Sequence, residues 1–237
     1  MASTSAIGPS ANAAIAGLSG FSQPQRLHRT STGTGAAGFS GGNQGTIFTG
    51  CFSSEIPVGA TINGFEITSE TINGSKGDFG TFGSSGAGEE ALYSVHLWNG
   101  STLSSAITLV NKQSDGNVVY SASDTLVNMK AANKRHPASS PFGTYGDGRV
   151  MAGSASELGG LSWTVSDQGD FGFGIKVTTI VGTPTYGVIR GISLKCYYTP
   201  LVVNPEGPSP TYNKQAAMIN VTSGNILIDV GNIKIGI

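Results

Sequence analysis

The sequence predicts an all-β chain: an antiparallel β-sandwich of jelly-roll type, with an extended N-terminal arm and a short β-rich C-terminal tail. Three observations predict it. Apolar and polar residues alternate with period two in several short runs, as in strands with one buried face. Clusters such as Asn73–Ser75 (NGS), Asn99–Ser101 (NGS), Ser114–Asn117 (SDGN) and Gly146–Gly148 (GDG) separate those runs with turn chemistry. Helical content is confined to one short stretch, Asp124–Lys134 (DTLVNMKAANK), which stops before Pro137.

Composition divides the chain into four zones: an assembly arm (1–45), a sandwich domain (46–199), a Pro-rich linker (200–212) and a tail (213–237). The first 50 residues are rich in Gly, Ser, Ala and Thr and hold two charged residues, Arg26 and Arg29. The apolar residues of the arm, Ile7, Ile15, Leu18, Phe21, Leu27 and Phe39, follow neither period. Such a segment cannot by itself bury enough surface to offset an ordering cost of roughly 1–2 kcal/mol per residue. Neighbouring subunits are therefore expected to supply the missing contacts to Ile7, Ile15, Leu18, Phe21 and Leu27, which points to an assembly.

In the sandwich zone, Ile56–Ala60 (IPVGA) reads as a strand start, and Phe65 and Ile67 alternate with polar neighbours just after it. Tyr93, Val95 and Leu97 face one way while Ser94, His96 and Trp98 face the other. The same alternation runs through Leu161, Trp163 and Val165, through Phe171, Phe173, Ile175 and Val177, and through Ile192, Leu194, Cys196 and Tyr198. The linker Pro200–Tyr212 cannot continue a central strand and should run extended. In the tail, Ile226, Ile228 and Val230 alternate, then Ile233, Ile235 and Ile237 follow after a one-residue phase change. An apolar strand of this kind leaves an edge open, so pairing with another copy or threefold wrapping is expected to complete a sheet, with folding back onto its own domain as the alternative.

The chain has 237 residues, a net charge of -1 and only 11% charged residues, against a usual fraction near 25%. No nucleic-acid partner and no anionic-membrane contact is expected from that balance. No stretch approaches the roughly 20 apolar residues of a membrane helix. The start, MASTSAIGPSANAAIAGLSG, lacks a basic region and an uninterrupted apolar core, so no secretion signal is expected. Cys51 and Cys196 fall in strand-like runs near the two ends of the domain, where a disulfide is conceivable. Two buried thiols are the favoured reading.

Catalytic chemistry is sparse. Gly38–Gly42 (GFSGG) matches G-x-S-x-G, but in a chain with 36 Gly such a match arises by chance and lacks the strand–turn–helix setting of a nucleophilic Ser40. His28, His96 and His136 are scattered, no CxxC exists, and no metal spacing appears. His96 could pair with an acid, but beside Trp98 it reads as a surface or half-buried packing residue. Glu89 and Glu90 would face opposite sides of a strand. Asp167 and Asp170 straddle a turn, and Asp115–Asn117 and Asp147 offer too few oxygens for calcium. Asn73, Asn99 and Asn220 match a glycosylation pattern but are read as turn residues. The expectation is a protein that is not an enzyme and needs no cofactor. Phe79, Phe82, Phe142 and Tyr145, on Gly/Ser-rich stretches read as loops, are the candidate ligand or partner contacts.

One set of residues goes beyond composition. Glu157–Val177 (ELGGLSWTVSDQGDFGFGIKV), Gly187–Tyr198 (GVIRGISLKCYY) and Ile56–Ile67 (IPVGATINGFEI) together resemble a β-sandwich module of tailed-phage and prophage virion proteins. The matching positions are Ile62, Gly64, Phe65 and Ile67; Gly160, Trp163, Thr164 and Asp167; Phe173, Gly174 and Ile175; and Tyr197 and Tyr198. The chain departs from that pattern at Leu158-Gly159, where a Trp-Gly pair is common in the module. The resemblance implies a virion structural subunit assembled in the host cytoplasm. The role it suggests is a tail-fibre or baseplate-type position facing outward, anchored by both termini, with capsid decoration as the alternative; a carbohydrate-binding adhesin, using Phe79, Phe82, Phe142 and Tyr145 as stacking platforms, is the other reading. Its implied partners are further copies of itself, as a homotrimer, other virion proteins and a host surface glycan.

Overall fold

The computed structural model describes residues 1–29, 36–39, 43–69, 78–83, 90–110, 118–120, 126–130, 150–181 and 186–201. They form an all-β sandwich whose sheets are antiparallel throughout. One sheet has four strands in the order β1 (Ala2–Ser3), β14 (Ile192–Thr199), β5 (Thr61–Ser69), β11 (Val150–Ser154). The facing sheet runs β2 (Ala11–Ala14), β4 (Gln44–Thr49), β12 (Gly172–Val181), β7 (Glu90–Trp98), β10 (Leu126–Lys130), β9 (Val118–Tyr120), with β8 (Leu103–Ala106) beside β7. A three-stranded ribbon, β3 (Ala36–Phe39), β13 (Tyr186–Arg190), β6 (Asp78–Gly83), completes the described strands.

The period-two runs produce the core. Val95 and Leu97 of β7, and Phe173, Ile175 and Val177 of β12, are buried on one face. In register they meet as Phe173↔Leu97 and Ile175↔Val95. Phe65 and Ile67 of β5, with Ile192, Leu194 and Cys196 of β14, close the same core from the other sheet. Aromatic rings knit the layers together: Phe48 lies 5.4 Å from Phe173, and Phe65 lies 4.2 Å from Trp163 and 6.0 Å from Phe171. Gly172 has a steric reason, since a Cβ there would collide with the Phe48 carbonyl as β4 crosses it.

The arm corrects the expectation that other subunits order it. β1 pairs with β14 through Ala2↔Tyr198, and Thr4 and Ile7 continue that ladder onto Cys196 and Leu194. The chain then crosses to the other sheet, where β2 pairs with β4 from Ala11↔Thr49 to Ala14↔Thr46. Ile15, Phe21 and Leu27 are buried at 7%, 5% and 0% exposure, and Phe21 and Leu27 belong to the chain's own core. The physical reason is that an arm need not form a core when two open sheet edges offer backbone partners and an existing core offers vacant holes.

Three local readings also change. Leu126–Lys130, expected within a helix, is strand β10, held between β7 and β9. Paired backbone on both sides outweighs a weak helix preference. Leu161, Trp163 and Val165 do not form a strand: the chain there is loop, followed by a 3₁₀ turn at Val165–Asp170. The alternation survives as burial, because the half-buried members of that run are those three residues while Ser162 and Thr164 are exposed. Ile56–Ala60 is a turn closed by Ala60 N–H to the Pro57 carbonyl at 3.1 Å, not a strand start. The turns at 73–75, 114–117 and 146–148 lie outside the described residues, whereas Asn99 does close a turn, its Oδ1 accepting from the Ser101 and Thr102 amides.

Candidate functional site

The residues singled out from the sequence do not converge on one site. Ile15, Phe21 and Leu27 are spent inside the molecule, Ile7 bridges to Leu194, and Leu18 is half-buried. Phe79 and Phe82 lie on β6 rather than on a loop, with Phe82 in register with Gly187 of β13. A strand there follows from pairing along β13, which Gly-rich composition does not forbid. Phe142, Tyr145, Ser40, Glu89 and His136 lie outside the described residues, as do Ile226, Ile228, Val230, Ile233 and Ile235 of the C-terminal strand. Asp167 accepts from the Ser166 hydroxyl at 3.0 Å. Among the described residues no three His, Cys, Asp or Glu side chains come together to hold a metal.

Cys51 and Cys196 are both free and buried, as favoured from the sequence. Burial pushes the Cys196 thiol up to about 12, and burial raises Cys51 as well, against a small opposing pull from the Arg29 guanidinium. Neither is a nucleophile at neutral pH, because the thiolate is the reactive form.

Two surface features were not legible in the sequence. The first is an apolar groove of about 470 Å³ on the outer face of the seven-stranded sheet. Its walls are Ala13–Ala16 from the arm and the β7–β8 hairpin, through Trp98, Ser101, Thr102 and Leu103, while Ile47 and Thr49 of β4 also line it. It exists because the arm folds back, so no reading that sends the arm outward could have found it. The second, of about 380 Å³, lies between the turn Val58–Ala60 and Trp163–Ser166. Val58, on its rim, is 91% exposed. The indole N–H of Trp163 is taken by the Leu158 carbonyl at 3.0 Å, so the ring offers a groove only its apolar surface.

His96 is the other unanticipated feature. It is buried, with Nε2 2.8 Å from Ser94 Oγ and Nδ1 2.8 Å from the Ser104 carbonyl. Burial holds its pKa below the ordinary histidine value, the Ser104 carbonyl opposes that, and Lys176 adds to it. A serine hydroxyl on an imidazole is also the arrangement of a hydrolytic pair. Here Ser94 and His96 keep 8% and 5% of their surface, which leaves a substrate carbonyl little approach. The arrangement braces a hairpin.

The positions that carry the virion-module resemblance are packing positions. Phe65 stacks on Trp163, Trp163 meets Phe171 edge-on at 4.8 Å, and the Tyr197 hydroxyl donates to Glu66 at 2.6 Å. No protein-family model, no curated protein and no solved structure matches this chain.

Proposed function

We propose that this chain is a structural subunit of a tailed-phage particle, held in the particle by its C-terminal tail and displaying the sandwich outward. The carrying observation is the division of the chain after Leu201. Met1–Leu201 is one compact unit, and its first 29 residues cover edges of both sheets. Beyond Leu201 the sequence holds a Pro-rich linker and a run of alternating Ile and Val from Ile226 to Ile237 that has the pattern of a strand seeking a partner. The low charge of the chain suits a molecule buried among copies of itself. Anchoring, which the sequence suggested for both arm and tail, therefore rests on the tail alone in this reading. The partners on this reading are two further copies in a homotrimer and the virion proteins beneath them. The exposed end of the sandwich faces a host glycan.

The test compares the full chain with a truncation that ends at Tyr212. The expected result is a trimer for the full chain and a folded monomer for the truncation in native mass measurement, with melting temperatures within a few degrees. Labelled full chain should decorate source particles in micrographs and the truncation should not. A truncation that still trimerises and still enters particles overturns the tail as anchor. A full chain that stays monomeric and binds a glycan array would identify a free-standing adhesin instead.

A further inference from the structure

β8 is a four-residue strand whose ladder runs to β7 alone among the described strands, through His96↔Ala106 and Trp98↔Leu103. Little ladder pairing holds it, so each further tie matters. The Ser104 hydroxyl receives the Leu97 amide at 2.8 Å, and the Ile107 amide reaches the Val95 carbonyl at 2.8 Å. The third tie is the His96 ring. A carbonyl only accepts, so Nδ1 facing the Ser104 carbonyl carries the proton of the neutral ring, and Nε2 accepts from the Ser94 hydroxyl.

The surroundings favour that neutral ring. Lys176 of β12, in register with Ser94, repels a charged imidazole. β8 contributes Ser104 and Ser105, both uncharged, and β10 places Leu126 in register with Ser94. The loop after β11 brings Gly159 against Ser104, and the Glu157 carboxylate on that loop is occupied by the Gly159 amide at 2.8 Å. Thus Ser94 and Ser104 bond the ring, and no carboxylate among the described residues does so.

We propose that His96 is an acid-operated latch on the β7–β8 hairpin: protonating its ring frees β8 and opens the apolar groove that β8 walls. The Ser94 hydroxyl can turn to accept from a protonated Nε2, so hydrogen bonding does not bar the charged form. The opposition comes from burying a cation without a counter-charge beside Lys176. Release relieves both, because the freed ring reaches water. The groove is affected directly: Leu103 lies over Gly174 of β12, where a Cβ would sit 2.6 Å from Leu103 Cδ1, and Leu103 also lines the groove. Because burial depresses the pKa in the closed hairpin, the open form binds the proton more readily. The latch is complete above the ordinary histidine value, roughly 6.5. It weakens as pH falls from there through the closed-state value, then levels off once both forms are protonated.

Hydrogen exchange of the full chain, corrected for intrinsic rates, tests this between about pH 7.5 and about pH 5. Protection of the Leu97 and Ile107 amides should fall by up to about tenfold per pH unit within the window. The Leu194 amide, bonded to the Ile7 carbonyl at 2.9 Å in the other sheet, should hold steady. Lys176→Gln should move the His96 titration, followed by imidazole resonances, to higher pH, and His96→Gln should flatten the profile. The latch is overturned if Leu97 and Ile107 stay protected throughout. It is equally overturned if they open in step with Leu194, if Lys176→Gln leaves the titration in place, or if the profile persists in His96→Gln.

Discussion

Phe65 shows how a single position in the sequence acquires its weight. Its place in an alternating run marks it as inward-facing, but the run does not name its neighbours. In the folded chain it is fully buried against Trp163 and Phe171, three rings drawn from β5 and from the loop and turn before β12. Removing a ring so enclosed loses its transfer energy and leaves a cavity. Phe65→Ala should therefore cost about 3–5 kcal/mol in urea unfolding, whereas Val58→Ala, on a 91% exposed side chain, should change little. The two thiols make a similar point. Their small size and strand setting indicated burial, and the core then holds both in the thiol form. Under native conditions a thiol-reactive disulfide reagent should label neither, and both should react on unfolding; fast labelling of the folded chain would contradict the closed core. His96 is the residue at which reading stopped short, since Ser104, eight positions away, is brought to its ring only by the hairpin.

At the scale of elements, the strands with strong alternation, β7, β12 and β14, lie where their sequences place them. The two strands that the sequence missed share a cause. β10 has a helix-tolerant sequence but lies between two strands, and β6 is a Gly-containing run recruited by β13. In both, the decisive interaction is a backbone ladder, to which any residue but proline contributes alike. The arm is the largest instance. Because β1 and β2 pair with opposite sheets and Phe21 and Leu27 fill the core, deletion of residues 1–29 should abolish cooperative unfolding and the near-ultraviolet dichroism of packed aromatics. A deleted chain that melts sharply at the parent temperature would restore the arm to an external tether. The expectation that other subunits must order the arm fails for a definite reason: it counted the surface the arm could bury against itself rather than the surface the sandwich leaves open.

For the whole molecule, composition carried the broad class and the fold organised the rest. A low charge fraction, abundant turn residues and short alternating runs lead to an all-β sandwich, and the chain forms one. The same composition suggested assembly through both ends. Only the tail keeps that role in the proposed function, since the arm pairs with strands of its own chain. The apolar groove belongs to this scale as well, because the arm, β4 and the β7–β8 hairpin meet there from positions up to 90 residues apart, from Ala13 to Leu103.

What the sequence by itself determined is which side chains of the alternating strands turn inward and that a turn falls at Asn99. Each of these depends on residues within a few positions of one another. Tertiary structure alone decided that the arm serves its own sandwich, that Leu126–Lys130 is a strand, and that a buried imidazole braces the hairpin beside an apolar groove. Those outcomes turn on which backbone edge meets which, and the N–H and C=O groups that choose are the same at nearly every residue, so no local pattern records the choice.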